Sequence, residues 1–248
     1  MSSLLIVNAQ LVNEGRIVEG DVYIENGRIE AIGALSAKPA TQILDAQGRY
    51  LLPGMIDDQV HFREPGLTEK GDLFTESRAA VAGGITSFMD MPNTIPATLS
   101  NELLQEKHQL AQGRSLANYG FYLGASSENI ELIKSLDVRL ACGVNVFVGS
   151  SCASKLVDDP EVLREILTSS PVLVTAHCED MPMIAENEES YRSIYGDAVP
   201  FELHGVIRSD EACYIAAERL VEVATACNTR VHILHISSAK EIELFSAG

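Results

Sequence analysis

Residues 53–66 read PGMIDDQVHFREPG, an apolar run that opens after a Pro-Gly pair and closes in a polar cluster. Alternate residues of an extended chain share a face, so Gln59, His61 and Arg63 line up together where the run ends. This predicts a buried strand with polar chemistry at its C-terminal end.

The same design repeats. Counting LLPGMID (51–57) as the first, six short and almost uninterrupted apolar runs follow one another: GITSFMDM, YGFYLGA, GVNVFVG, PVLVTAH and RVHILHI complete the set. Such runs are how parallel strands covered on both faces appear in sequence. Helix signals separate them. Asp159-Pro160 supplies a cap and a first-position proline before Val162, Leu163, Ile166 and Leu167. Ser209 precedes Asp210 and Glu211 in a first turn, followed by the stripe Ala212, Ile215, Ala216, Leu220 and Val223. Gly83-Gly84 reads as a helix terminus before the second strand. Alternating strands and helices predict an α/β fold, a TIM-like (β/α) barrel over residues 51–248.

Residues 1–50 differ. They are rich in β-branched residues and turns, and Asn26-Gly27 sits among the alternating apolar positions Val22, Ile24, Ile29 and Ile32. Asn-Gly takes the positive φ of a tight hairpin, so a small antiparallel β-sheet domain is expected. A full barrel needs eight units and about 250 residues of its own. Only about six fit here, so the barrel is expected to be incomplete. Ser238 and Glu241 form a capping box expected to open a helix with Ile242, Leu244 and Phe245.

A formal net charge of -17 argues against nucleic-acid binding, which needs clustered basic residues. No run approaches the roughly 20 apolar residues of a membrane span. The five cysteines (Cys142, Cys152, Cys178, Cys213 and Cys227) are odd in number and lack CxxC spacing, so neither a disulfide framework nor a zinc ribbon is indicated. With no basic leader, the expectation is a cytoplasmic protein.

Candidate chemistry gathers at strand ends, where (β/α) barrels place their sites: His61, Asn93, Asn145, His177 and His235. Three histidines from different strands suit a hydrolytic Zn²⁺ with an open position for water, or His177 and His235 are hydrogen-bonded core residues. Alternation sends His232 and His235 to opposite faces, so at most one is expected inside the barrel. Arg63 suits a substrate carboxylate through two parallel hydrogen bonds, or a surface ion pair with Glu64 or Glu69. Asn93, in MPNT, offers a neutral donor to the same anion or organises a turn beside Pro92. Gly149-Ser150-Ser151 lacks the lysine and the helix of a phosphate loop.

These motifs, PGMID, HFREPG, AVAGGITSFMDMPNT, TAHCED, IRSDEAC and ILHIS in that order after an N-terminal sheet, resemble the dihydroorotases of the amidohydrolase superfamily, in its cyclic-amidase branch, over the whole chain. The resemblance implies reversible interconversion of N-carbamoyl-L-aspartate and L-dihydroorotate in pyrimidine biosynthesis. It also implies one or two zinc ions, a small anionic substrate and a homodimer. By motif position His61, His177 and His235 match metal ligands, and Arg63 and Asn93 match residues that hold the substrate carboxylate.

Three departures stand out. Gln59 occupies the position of a ligating histidine. Asn145 falls where relatives carry a carbamylated lysine that bridges two metals. The family's catalytic aspartate is expected beyond Gly248. The alternatives are therefore an inactive dihydroorotase-like structural or regulatory partner, or a related allantoinase or dihydropyrimidinase. HFREPG with MPNT favours the anionic substrate.

Overall fold

The computed structural model describes residues 2–149, 157 and 159–245. It divides into two compact units, Met1–Met55 and Ile56–Gly248. The sequence boundary at 50/51 falls short of this division because Tyr50–Leu51 pairs within the first sheet.

In the first unit β1 (Ser3–Asn13), β2 (Arg16–Glu25), β3 (Arg28–Gly33), β4 (Gln42–Asp45) and β5 (Tyr50–Leu51) form one sheet in the order β3-β2-β1-β4, with β5 also on β1. The expected hairpin forms: Asn26 and Gly27 take φ of 52° and 77°, and the cross-strand pairs are Val22–Ile32 and Ile24–Ile29. The sheet is mixed rather than purely antiparallel, because β4 and β5 run parallel to β1. Leu5, Ile6, Ala9 and Val22 are buried.

In the second unit strands and helices alternate: β6 (Met55–Val60), α1 (Leu73–Ala82), β7 (Ile85–Asp90), α2 (Asn101–Ala111), β8 (Asn118–Gly124), α3 (Ile130–Lys134), β9 (Gly143–Val148), α4 (Pro160–Ser169), β10 (Val174–Cys178), α5 (Met181–Tyr195), α6 (His204–Ile207), α7 (Asp210–Ala226) and β11 (Val231–Ile233). The strands form one sheet in the order β11-β10-β9-β8-β7-β6, parallel in its registers from β7 to β11. Each predicted apolar run contributes to one of these six strands. This is a six-strand portion of a (β/α) barrel.

Its core lies between sheet and helices. Phe88, Phe121, Val144, Val146, Val174 and Ala176 point outward from the strands onto Leu104, Ile133, Leu163, Ile166 and Leu220. Local signals behave as the chemistry requires. Asp159 caps α4 by accepting from Glu161 N, with Pro160 in the first turn, and Ser209 caps α7 through Ala212 N. At the end of α1 the left-handed residue is Gly84 (φ 92°), one past the Gly83 cap.

The Ser238–Glu241 box also forms, with Ser238 Oγ 2.9 Å from Glu241 Oε2, but it opens a 3-10 turn over Lys240–Leu244 instead of an α-helix. Ser150, Ser151 and Cys152 lie outside the described residues. Among the described residues no helix is long and apolar enough to cross a membrane.

Candidate active site

Parallel strands place their C-terminal ends at one rim. His61 follows β6, Asn93 follows β7, Asn145 lies in β9, His177 in β10, and His235 follows β11. Of these elements β6, β7 and β10 position a connected polar network.

His61 Nδ1 donates to Asn93 Oδ1 at 2.9 Å. This settles two roles. Asn93 orients His61 rather than merely shaping the turn beside Pro92, and a neutral His61 presents its Nε2 lone pair on the other side. That lone pair lies 3.2 Å from the Gln59 amide nitrogen, which is also 3.4 Å from His177 Nε2. Two imidazoles from different strands thus meet at one carboxamide.

Both imidazoles are held neutral. Burial lowers the His61 pKa, although the Asn93 hydrogen bond opposes the shift. Burial also pulls His177 down to about 3, helped by the nearness of His235 and His61. His177 stacks on Phe147, with ring centroids 4.5 Å apart and planes at 20°, which fixes the ring. Its Nδ1 is buried without a partner among the described residues.

His235 differs from expectation. Alternation stops because β11 ends at Ile233, and His235 takes a left-handed φ of 38°. That turn brings its ring edge-on to His177, with centroids 5.0 Å apart. His232, in register with Thr175, turns its Nε2 to within 3.5 Å of Asp58 Oδ2. The three predicted histidines come together, with ring centroids 5.8 Å apart for His61 and His177 and 5.0 Å apart for His177 and His235. The polar group between His61 and His177 is the Gln59 carboxamide, whose nitrogen faces both imidazoles.

The fit of a metal rests on this donor set. Two neutral imidazole nitrogens face one point, and one of them carries the supporting hydrogen bond on its far nitrogen that ligating histidines ordinarily have. His61 and His177 fit a divalent ion. Asn145 adds no charge: it is fully buried, and Thr175 Oγ1 donates to its Oδ1 at 3.0 Å. Its Nδ2 is buried without a partner among the described residues.

Arg63 is half-buried with a left-handed φ of 70°, and it makes no ion pair among the described residues. The ion pair with Glu64 does not form. Glu64 instead accepts from Arg114 at 2.7 Å and from Leu73 N at 2.9 Å. Arg63 stands close enough to His61 for its charge to disfavour the imidazolium.

One pair escaped sequence reasoning. Lys107 of α2 and Asp90 at the end of β7 form a buried ion pair, and Asp90 Oδ1 also accepts from Phe62 N at 2.9 Å. The aspartate closing GITSFMDM was the available signal.

Comparison with known proteins adds the relatives. A sequence model of the family described as Dihydro-orotase-like matches residues 48–241. Dihydroorotase from Methanosarcina acetivorans is 31% identical over 98% of this chain and 52% of its own length. Allantoinase from Desulfitobacterium hafniense is 30% identical over 97% of this chain and 54% of its own. The L-hydantoinase (dihydropyrimidinase) structure from Arthrobacter aurescens superposes with a TM-score of 0.91 at 24% identity, covering 98% of this chain and 55% of that one. The chain spans about half the length of the curated relatives it matches.

Proposed function

Because the chain belongs to the dihydro-orotase-like family of amidohydrolases, we propose that it acts on a small cyclic amide bearing a carboxylate, interconverting L-dihydroorotate and N-carbamoyl-L-aspartate in pyrimidine biosynthesis. The observation that carries this reading is Arg63: a half-buried arginine whose charge reaches His61 and which has no ion pair among the described residues. With a net charge of -17 the protein as a whole repels anions. An anionic substrate therefore needs a dedicated cation, and a planar guanidinium grips a carboxylate through two parallel hydrogen bonds.

Asn93 supports the same assignment. Its Oδ1 is committed to His61, which leaves its amide N–H groups as donors to the anion. An uncharged hydantoin or allantoin ring would leave Arg63 without a counter-charge.

His61 and His177 would hold a divalent ion, zinc by preference for imidazole, which supplies Lewis-acid polarisation of the ring carbonyl and a more acidic water. The chain's own residues prepare the site. Asn93 fixes the His61 tautomer, Phe147 fixes the His177 ring, and the low His177 pKa keeps that imidazole neutral across the physiological range.

A second reading, a dihydroorotase-like structural partner without turnover, is favoured by Asn145: a neutral, buried side chain tied to Thr175 offers no anionic bridge. Turnover of L-dihydroorotate, hydantoin and allantoin by the zinc-supplied protein separates the readings. The first predicts fastest turnover of dihydroorotate. Faster turnover of a neutral ring overturns the substrate, and a folded, metal-loaded protein idle on all three favours the partner.

A further inference from the structure

β6 carries Gln59 and leads into His61, yet it is the least buried strand of its sheet. It lies at one edge, and none of its six residues is buried, whereas every residue of β9 and β10 is. Such a strand takes its position from hydrogen bonds more than from packing.

Two of these bonds act on a single peptide group. Tyr122 Oη, from β8 two strands away, donates to Asp58 O at 2.9 Å, and Gln59 N donates to Asp57 Oδ1 at 3.1 Å. Asp58 O and Gln59 N lie in one rigid plane. The two bonds therefore fix the tilt of that plane, and with it the direction in which the Gln59 side chain leaves the backbone.

Tyr122 is suited to this task. It is 3% exposed. Its single hydroxyl hydrogen has two acceptors in reach, Asp58 O and Met89 Sδ at 3.4 Å, and a thioether is the weaker of the two. Burial raises the Tyr122 pKa, so the hydroxyl remains a donor through the physiological range.

We propose that Tyr122 is a positioning residue, which seats β6 through the Asp58 carbonyl and so holds the Gln59 carboxamide between His61 and His177. The Asp58 carboxylate, half-exposed and 3.5 Å from His232 Nε2, is a separate contact. This inference rests on the reading of His61 and His177 as working residues of the proposed function, and its test reads the two apart.

Tyr122→Phe keeps the ring and removes only the hydroxyl. NMR follows the Gln59 side-chain amide and the His61 imidazole N–H, with folding checked by circular dichroism. In Tyr122→Phe the amide signals are expected to shift and the His61 N–H to exchange with solvent about 3- to 10-fold faster, the worth of one hydrogen bond. Asp58→Asn, which keeps the carbonyl, is expected to leave both signals as in wild type. Ile133→Val trims a fully buried side chain of the outer core, and is expected to lower the urea midpoint without moving either signal.

Unchanged signals in Tyr122→Phe overturn the proposal, as does an equal change in Asp58→Asn or Ile133→Val. Where the zinc-supplied wild type turns over L-dihydroorotate, Tyr122→Phe is expected to lower kcat by about the same factor, and an unchanged kcat overturns the positioning role. A wild type idle on dihydroorotate overturns the functional reading alone, and the two signals still decide the part played by Tyr122.

Discussion

Lys107 Nζ lies 2.5 Å from Asp90 Oδ2 with both side chains at 1% exposure or less. The pair is tied to the site, because the other oxygen of Asp90 accepts from the backbone N–H of Phe62, between His61 and Arg63. Lys107 also donates to Met91 O, two residues before Asn93. One ion pair thus braces the backbone behind two site loops.

Removing one partner leaves a buried charge uncompensated, which costs about 3–5 kcal/mol, whereas replacing both is often close to neutral. Lys107→Met is therefore expected to lower stability by that amount in urea unfolding, and Lys107→Met with Asp90→Asn to recover most of it.

Gly66 holds the Arg63 loop against its neighbour. It has φ of 85°, and an added Cβ would come within 2.1 Å of Ile95 O. Backbone cannot yield as a flexible side chain does. Gly66→Ala is expected to destabilise by about 2–4 kcal/mol, read as a shift of the urea midpoint, whereas Gly27→Ala, with open space around it, is expected to cost less.

Arg63 predicts a different signature. With no ion pair among the described residues, Arg63→Met is expected to leave the urea midpoint nearly unchanged. Its effect falls on the ligand: loss of a charge-assisted pair worth about 1.5–3 kcal/mol weakens L-dihydroorotate binding about 10- to 100-fold, measured by calorimetry.

Thiol chemistry checks the packing on the strands. Burial pushes the Cys142 thiol up to about 12 and raises Cys178 as well. Thiolate is the reactive form, so at pH 8 Cys142 is expected to react with a disulfide reagent about a thousandfold more slowly than an ordinary thiol, and both cysteines are expected to react freely once the chain is unfolded. Fast native labelling of Cys142, located by mass spectrometry, would contradict the packing described.

Much of this was legible in the sequence because it depends on local pattern. The apolar runs became strands because short runs bounded by turn residues suit parallel strands, and Asp159-Pro160 and Asn26-Gly27 act through near neighbours. What stayed hidden depends on distant pairing or on where an element stops. Alternation for His232 and His235 failed because β11 ends at Ile233 and His235 turns left-handed. Leu51 read as the start of the barrel but pairs with Leu11 of β1. Asn93 offered two roles, and its contact with His61, 32 positions away, introduced a third. Gln59 read as a damaged position because residue type reveals nothing of the two imidazoles its amide meets.

The claim that organises the site is that it receives a ring carrying a carboxylate, and calorimetric comparison of L-dihydroorotate with 5,6-dihydrouracil, the same ring without that group, tests it most directly. The account predicts that dihydroorotate binds about tenfold or more tightly, a difference of about 1.4 kcal/mol or above, and that Arg63→Met erases the preference. Equal binding of the two rings, or tighter binding of dihydrouracil, would contradict it.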